Sequence, residues 1–298
     1  MKVLITGANG FLGQYLQKTF KPENTDTLGL TGCTIDINLA KEVPLLESKY
    51  EVVVHAAGKA HVVPKSPKET EAFFKVNFQG TKNLLTALDK NNNFPDRFIF
   101  ISTVAVYGKE EGQLIDENHP LNGTSPYAKS KILAEKEIQE WGKRNNVSVT
   151  ILRLPLLVGN NPPGNLGSMI KAIQKGYYFS IGDGSNRRSM VLAEDVAKLV
   201  ASDSIKPGTY NITDGYHPTF RELEKHIASQ LGKKVKSMPR IIVKAACWVG
   251  DFIKFMPINS FKFEKLTSTL TFSDKLARDD FNWEPSIVTE AFVLESKQ

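Results

Sequence analysis

Seven consecutive residues, Gly7-Ala8-Asn9-Gly10-Phe11-Leu12-Gly13, constrain this chain more than any other stretch. They come directly after an apolar run, residues 2–6 (KVLIT), that reads as a strand, and they open a segment, 13–20, with helical spacing. Glycines placed so between a strand and a helix permit a tight turn, close approach of the backbone to a ligand, and close packing of helix on strand. The helix start then offers unpaired N–H groups and the positive end of its dipole to an anion. The spacing is GxxGxxG rather than GxGxxG, so it is the strand–turn–helix context that carries a dinucleotide reading for Gly7, Gly10 and Gly13. The alternative is a plain structural turn.

The same alternation of strand and helix recurs along the chain. Residues 27–31 form a weak strand, 51–56 (EVVVHA) a continuous apolar one, 97–102 (RFIFIS) another, and 147–154 (VSVTILRL) a fourth. Segments 70–89 and 127–145 between them have helical spacing. Uninterrupted apolar strands separated by helices predict an α/β fold, a doubly wound parallel sheet buried on both faces. After Pro155 the texture changes to a turn-rich loop, 160–167, a short helix and a glycine turn within 168–190, a helix at 194–202 and a last strand at 208–212. From His217 onward it is mostly helical. The expected division is a nucleotide-binding core over 1–155, to which 191–214 returns, and a smaller, mostly helical substrate-binding lobe from 156–190 and 215–298. The most apolar later segment, 240–256, reads as a packed lobe helix rather than a membrane-surface one, because Lys244, Asp251 and Lys254 interrupt it without forming a broad basic face.

Composition removes whole classes of function. The 298 residues are 41% hydrophobic and 23% charged, which is globular rather than disordered or fibrous. The net charge of +6 is spread along the chain, without a basic stripe interleaved with aromatics, so no nucleic-acid partner is expected. Cys33 and Cys247 belong to no metal-ligand or disulfide pattern, and no metal is expected. No run approaches 18 apolar residues, so no membrane association is expected. The N-terminal residues lack the pattern of a signal peptide, and the expected location is cytoplasmic.

Two further groups carry chemistry. In Ser125-Pro126-Tyr127-Ala128-Lys129-Ser130-Lys131, Tyr127 and Lys131 are four apart and share a helix face. A free tyrosine titrates near pH 10 and is a poor base at neutral pH, but an adjacent ammonium stabilises its phenolate. Thr103 ends the 97–102 strand, where ligands of open α/β sheets bind, so its hydroxyl is placed to meet a substrate oxygen; the alternative is a threonine capping its own strand end.

With these residues in hand, the sequence resembles the extended short-chain dehydrogenase/reductases, and within them the NAD-dependent nucleotide-sugar epimerase/dehydratase family. The resemblance runs nearly end to end and in order: GANGFLG, VVVHAAG, VNFQGTKNLL, STVAVYG, SPYAKSK, LRLP, GDGSNRRSMVLAEDVA and FNWEP. It implies a Rossmann fold and a catalytic group of Thr103, Tyr127 and Lys131. It also implies cofactor contacts from Gly7, Gly10, Phe11, Leu12, Asp36, Ile37, Ala56, Ala57, Lys59 and Asn77, with Tyr127 and Lys131 at the nicotinamide end, where lysine binds the ribose, and an arginine for the substrate diphosphate at Arg188. Arg187 reads as a surface charge. A homodimer is the family expectation.

Departures from the family narrow the reaction. Its 4,6-dehydratases follow the catalytic threonine with an Asp-Glu pair, whereas Val104 and Ala105 stand here, which disfavours dehydration. The reductases that also epimerise carry a cysteine near this point, and none occurs. Apolar Leu154-Pro155-Leu156 replaces the usual asparagine after the LR segment. Asn165 is a candidate substitute for that contact, against a turn role, and His61 a candidate sugar contact, against an ordinary polar residue. Neither acid nor arginine ends the second strand at Leu30-Thr31-Gly32, so NAD is expected and NADP stays open. Asp26 has the usual spacing but precedes that strand. Asp36 reads equally as an adenine contact or as a helix cap ahead of Leu39. The expected activity is a UDP-sugar 4-epimerase, with Tyr127 taking the C4 hydroxyl proton, Thr103 orienting the oxygen and Arg188 binding the diphosphate. A nucleotide 4-keto-sugar reductase is the alternative, and a non-catalytic NAD(P) sensor a third.

Overall fold

The computed structural model describes residues 1–60, 62–90, 92, 94–239, 241–243 and 267–294. His61, Cys247 and the expected helix over 240–256, of which only 241–243 are covered, lie outside the described residues.

Seven strands form one parallel sheet. They are β1 (Val3–Thr6), β2 (Thr25–Gly29), β3 (Ile35–Asp36), β4 (Val52–His55), β5 (Arg97–Thr103), β7 (Ser148–Leu154) and β11 (Gly208–Asn211), in the order β11-β7-β5-β4-β1-β2-β3. All four residues of β1 and of β4 are buried, as uninterrupted apolar runs require in a sheet covered on both faces. The order reverses between β1 and β4, and the crevice at such a switch point receives ligands. One apolar layer packs Val3, Ile5, Val54, Ile99 and Leu152 against α1 (Phe11–Thr19) and α6 (Ala193–Ala201). The other packs Leu4, Val53, Phe98, Phe100 and Ile151 against α3 (Gly80–Lys90) and α4 (Pro126–Asn145).

Three boundaries differ from expectation. The second strand starts two residues early, because Thr25 and Asp26 pair with Val3 and Leu4, and the chain leaves the sheet at a turn containing Gly32, φ +68°. The helix expected over 70–89 begins as α2 (Pro67–Phe73), where the Ser66 hydroxyl accepts from the Glu69 N–H. It is broken by a π-helical turn, Phe74–Gln79, before α3. That extra residue per turn sits where Asn77 is 1% exposed, and such turns concentrate at functional sites. The remaining segments also contain strands the sequence did not disclose. Three separate parallel pairs form: β8 (Leu156–Val158) with β10 (Met190–Leu192), β9 (Phe179–Ile181) with β12 (Lys236–Met238), and β6 (Gly112–Ile115) with β13 (Leu270–Phe272). Segments of three or four residues are too short to show a period-2 pattern. No helix among the described residues is long and apolar enough to cross a membrane.

Candidate active site

The loops after β1 and β4 meet at the switch point. Gly7 has φ +71°, and a Cβ there would lie 2.6 Å from the Ala57 nitrogen, so both its conformation and its neighbour require glycine. At Gly13 a Cβ would collide with the carbonyl oxygens of Gly7 and Ala8. Gly10 is the N-cap of α1 and supplies no side-chain cap, and the first turn, with Phe11 and Leu12, contains no acid. The helix start therefore keeps its positive dipole end and its donors for an anion, which fits the pyrophosphate of a dinucleotide. We expect Gly13→Ala to cost about 1–3 kcal/mol through overpacking even without cofactor. Gly10→Ala, whose Cβ meets only the Gly7 carbonyl at 3.0 Å, should leave the cofactor-free melting temperature nearly unchanged. Equal melting shifts in the two variants would refute this account of the loop.

The adenosine end departs from the usual acid. Asp26 sits at the far end of β2, where its carboxylate accepts from Tyr50 Oη at 2.7 Å and pairs with Lys2 Nζ at 3.1 Å. It is therefore committed away from the loop. Thr31 is exposed, and its carbonyl accepts from Asn9 Nδ2 at 2.7 Å. Asp36 ends β3 and accepts from the Cys33 N–H at 2.8 Å. No helix starts ahead of Leu39, so the capping role considered for Asp36 does not hold, while Ile37 donates its N–H to the Gly29 carbonyl at 2.6 Å.

The structure draws the candidate chemical residues together from four elements. Thr103 Oγ1 accepts from the Ala105 N–H at 3.2 Å. It thus caps the following 3-10 turn, and its own proton remains for the Tyr127 phenol, on which this hydroxyl acts. The capping alternative weighed in the sequence is present, and it leaves the hydroxyl proton unused. Burial pushes the partly buried Tyr127 phenol above its usual value, and the Thr103 hydroxyl pulls the other way. Lys131 is 4% exposed, and burial lowers it to about 8, opposed by the Glu135 carboxylate. Its Nζ donates to the Ile101 carbonyl at 2.8 Å and stands 4.4 Å from the Phe100 ring centroid. A Cβ on Gly58 would lie 3.3 Å from this ammonium, so the β4 loop passes directly over it. Asn77 holds that loop in place: its Oδ1 accepts from the Lys59 N–H at 2.6 Å, and its Nδ2 donates to the Lys59 carbonyl at 3.1 Å and to Ser130 Oγ at 2.9 Å. Ala56 and Ala57 are anchored by the Thr6 carbonyl and hydroxyl, at 3.2 Å each.

Two predicted residues lie outside this cluster. Asn165 is exposed in the first turn of α5 (Gly164–Lys175) and is not part of the turn expected there; Gly164, φ +67°, starts the helix one residue earlier. Arg188 is half-buried between two segments, its N–H bonded to the Pro218 carbonyl and its Nη2 donating to Ser268 Oγ at 3.3 Å. Arg187 is exposed, as a surface charge should be, and donates to the His217 carbonyl at 3.0 Å. Sequence reasoning missed His55, Glu135 and Arg153, all buried. An arginine inside the run VSVTILRL and an acid four residues beyond Lys131 were the available signals.

A family model described as "NAD dependent epimerase/dehydratase family" matches residues 3–212. The chain belongs to the NAD-dependent epimerase/dehydratase family. The N-acetyl-alpha-D-glucosaminyl-diphospho-ditrans,octacis-undecaprenol 4-epimerase of Escherichia coli O157:H7 is 30% identical over 258 residues, 79% of this chain and 74% of that one. UDP-glucose 4-epimerase of Vibrio cholerae is 28% identical over 309 residues, covering 95% and 90%. Among solved structures, the UDP-glucose 4-epimerase of Thermus thermophilus in complex with NAD is 25% identical, covers 80% of this chain and 86% of its own, and superposes with a TM-score of 0.65. As a member of this family the chain is an NAD-dependent enzyme of the nucleotide-sugar kind.

Proposed function

We propose that the protein is a UDP-sugar 4-epimerase. The observation that carries this reading is the Thr103 hydroxyl set against the Tyr127 phenol beside the buried Lys131, on a glycine loop that fits a dinucleotide. Relatives whose printed names are 4-epimerases, one of them matched over 90% of its length, support it. Gly7, Gly10, Phe11, Leu12, Gly13, Asp36, Ile37, Ala56, Ala57, Lys59 and Asn77 would hold the cofactor. When bound, NAD supplies the hydride acceptor and donor. Tyr127 takes the proton from the sugar C4 hydroxyl and gives it back after the ring has turned its other face. Thr103 fixes the oxygen, and Lys131 holds a positive charge that favours the phenolate and also binds the nicotinamide ribose of the cofactor. Arg188 anchors the diphosphate with a guanidinium fork, and Asn165 serves the sugar side. Most of the rate gain comes from holding these groups at near-attack distance. Val104 and Ala105 offer no titratable group for removing water. The setting is a cytoplasmic homodimer, with residues 156–190 and 215–298 forming the substrate lobe.

A 4-keto-sugar reductase is the second reading. It is favoured by one observation: β2 ends at Leu28-Gly29, so no carboxylate stands at that strand end to reject the 2′-phosphate of NADP. The test is to denature the purified protein and identify the released nicotinamide by chromatography. Near-stoichiometric NAD, followed by interconversion of UDP-glucose and UDP-galactose, is the expected result. An empty protein that oxidises NADPH with a nucleotide 4-keto sugar would replace the epimerase reading by the reductase one.

A further inference from the structure

Beyond the last apolar row of the sheet on its α4 face lies a row of polar side chains. Phe98, Phe100 and Ile151 belong to the apolar layer against α4. Two residues on from Phe100 and Ile151, on the same face, come Ser102 and Arg153, which are register partners, and Arg153 is in turn the partner of Asn211. Glu135 meets this row from the helix. Its carboxylate accepts from Ser102 Oγ and from the Arg153 fork, Nε at 3.3 Å and Nη2 at 2.7 Å. Arg153 Nη1 donates to Tyr107 Oη at 3.0 Å, and that hydroxyl donates to Asn211 Oδ1 at 2.7 Å. Asn211 Nδ2 donates to the Ile115 carbonyl at 3.1 Å, and its N–H to Glu117 Oε1 at 2.7 Å. Side-chain exposure at the ion pair is 6% for Arg153 and 2% for Glu135.

A buried ion pair is a poor source of stability, since apolar residues of similar volume often serve as well; a register role is its best-attested use. Here the geometry supplies one. Tyr127, Lys131 and Glu135 occupy a single stripe of α4 at intervals of four, so Glu135 lies about 12 Å along the axis from Tyr127 and about 6 Å from Lys131. Ser102, which it grips, immediately precedes Thr103. We propose that Glu135 and Arg153 are positioning residues for Lys131, fixing α4 along β5 and β7 and supplying the opposed charges against which the ammonium is set. This rests on the reading in which Lys131 holds the cofactor.

The charged and titratable groups facing Lys131 are few. Tyr127 and Glu135 share its helix, His55 comes from β4, Lys59 from the loop after it, and Arg153 from β7 behind Glu135. His55 is held neutral by burial, down to about 3, and Lys59 Nζ stands over the Phe73 ring at 5.7 Å. Burial is the larger influence on Lys131 and lowers it; the Glu135 carboxylate, itself paired with Arg153, opposes that shift.

NADH is the probe, with affinity measured by fluorescence from pH 6 to 10 on the full chain. In the wild type, affinity should fall as Lys131 loses its proton. Glu135→Gln leaves the Arg153 guanidinium unpaired nearby and should move that midpoint down by about one pH unit; Arg153→Met leaves Glu135 uncompensated and should move it up. The double variant, with no unpaired charge, should return towards the wild type, and it carries the test if a single variant does not fold. A merely structural pair would weaken binding in both variants without opposite shifts, and that result overturns the proposal. Lys131→Met separates the two levels: at least a tenfold loss of NADH affinity is expected. If that loss occurs while the midpoints stay put, only the positioning role fails. If Lys131→Met binds NADH as the wild type does, the cofactor role of Lys131 fails and the proposal with it.

Discussion

Tyr127→Phe is expected to lose about 10²–10⁴-fold in turnover while still binding NAD, because it removes the proton carrier and nothing that shapes the cofactor loop. The phenol is the titratable group on which the Thr103 hydroxyl acts, and that hydroxyl, which accepts from the Ala105 N–H, still has its own proton to give. The ring contact with Phe73, at 6.2 Å between centroids, is kept in the variant, so folding should be little affected. The variant should also separate roles. If Thr103 orients the oxygen and Tyr127 moves the proton, Thr103→Ala should cost less than Tyr127→Phe. Steady-state interconversion of UDP-glucose and UDP-galactose, with retained NAD measured after denaturation, makes the comparison. Wild-type turnover in Tyr127→Phe would remove the assignment.

The second large effect concerns acid stability and arises at His55. The ring is fully buried, with Nδ1 2.6 Å from Thr6 Oγ1 and Nε2 2.8 Å from Thr81 Oγ1, and it stacks on Phe100 with centroids 5.5 Å apart. Burial lowers its pKa from 6.5 to about 3, with the Lys131 charge a lesser cause in the same direction. The folded ring therefore stays neutral while the unfolded one takes a proton below pH 6.5. Stability is intact above that value and falls as pH drops towards 3, by up to about 1.4 kcal/mol per pH unit, or ~5 kcal/mol over the window. Urea unfolding at pH 7, 6, 5 and 4 should show this slope, and His55→Gln should flatten it by about one proton. An equally steep decline in His55→Gln would show that carboxylates alone cause it.

These two residues were not equally visible in the sequence. Tyr127 stood in a spaced motif, and its pairing with Lys131 follows from helix periodicity alone. His55 sat inside EVVVHA and looked like the end of an apolar strand; its partners, Thr6 and Thr81, are 49 and 26 residues away. Asp26, set aside in the sequence because it precedes the expected second strand, was the opposite case. Its spacing suggested a ribose contact, but β2 begins early and turns it to Tyr50 and Lys2 at the other end of the sheet.

By itself the sequence determined the parallel sheet and the glycine loop, which are written in local periodicity and short spacings, and its ordered motifs carried the resemblance that implied the family and the candidate trio. The tertiary structure alone decided what surrounds them. Only strand register puts Ser102, Arg153 and Asn211 in one row, only packing sends Glu135 into it, and only burial lowers Lys131 and His55. The physical reason is range: backbone propensity and helix faces act over a few residues, whereas charge and desolvation depend on neighbours brought together from across the chain.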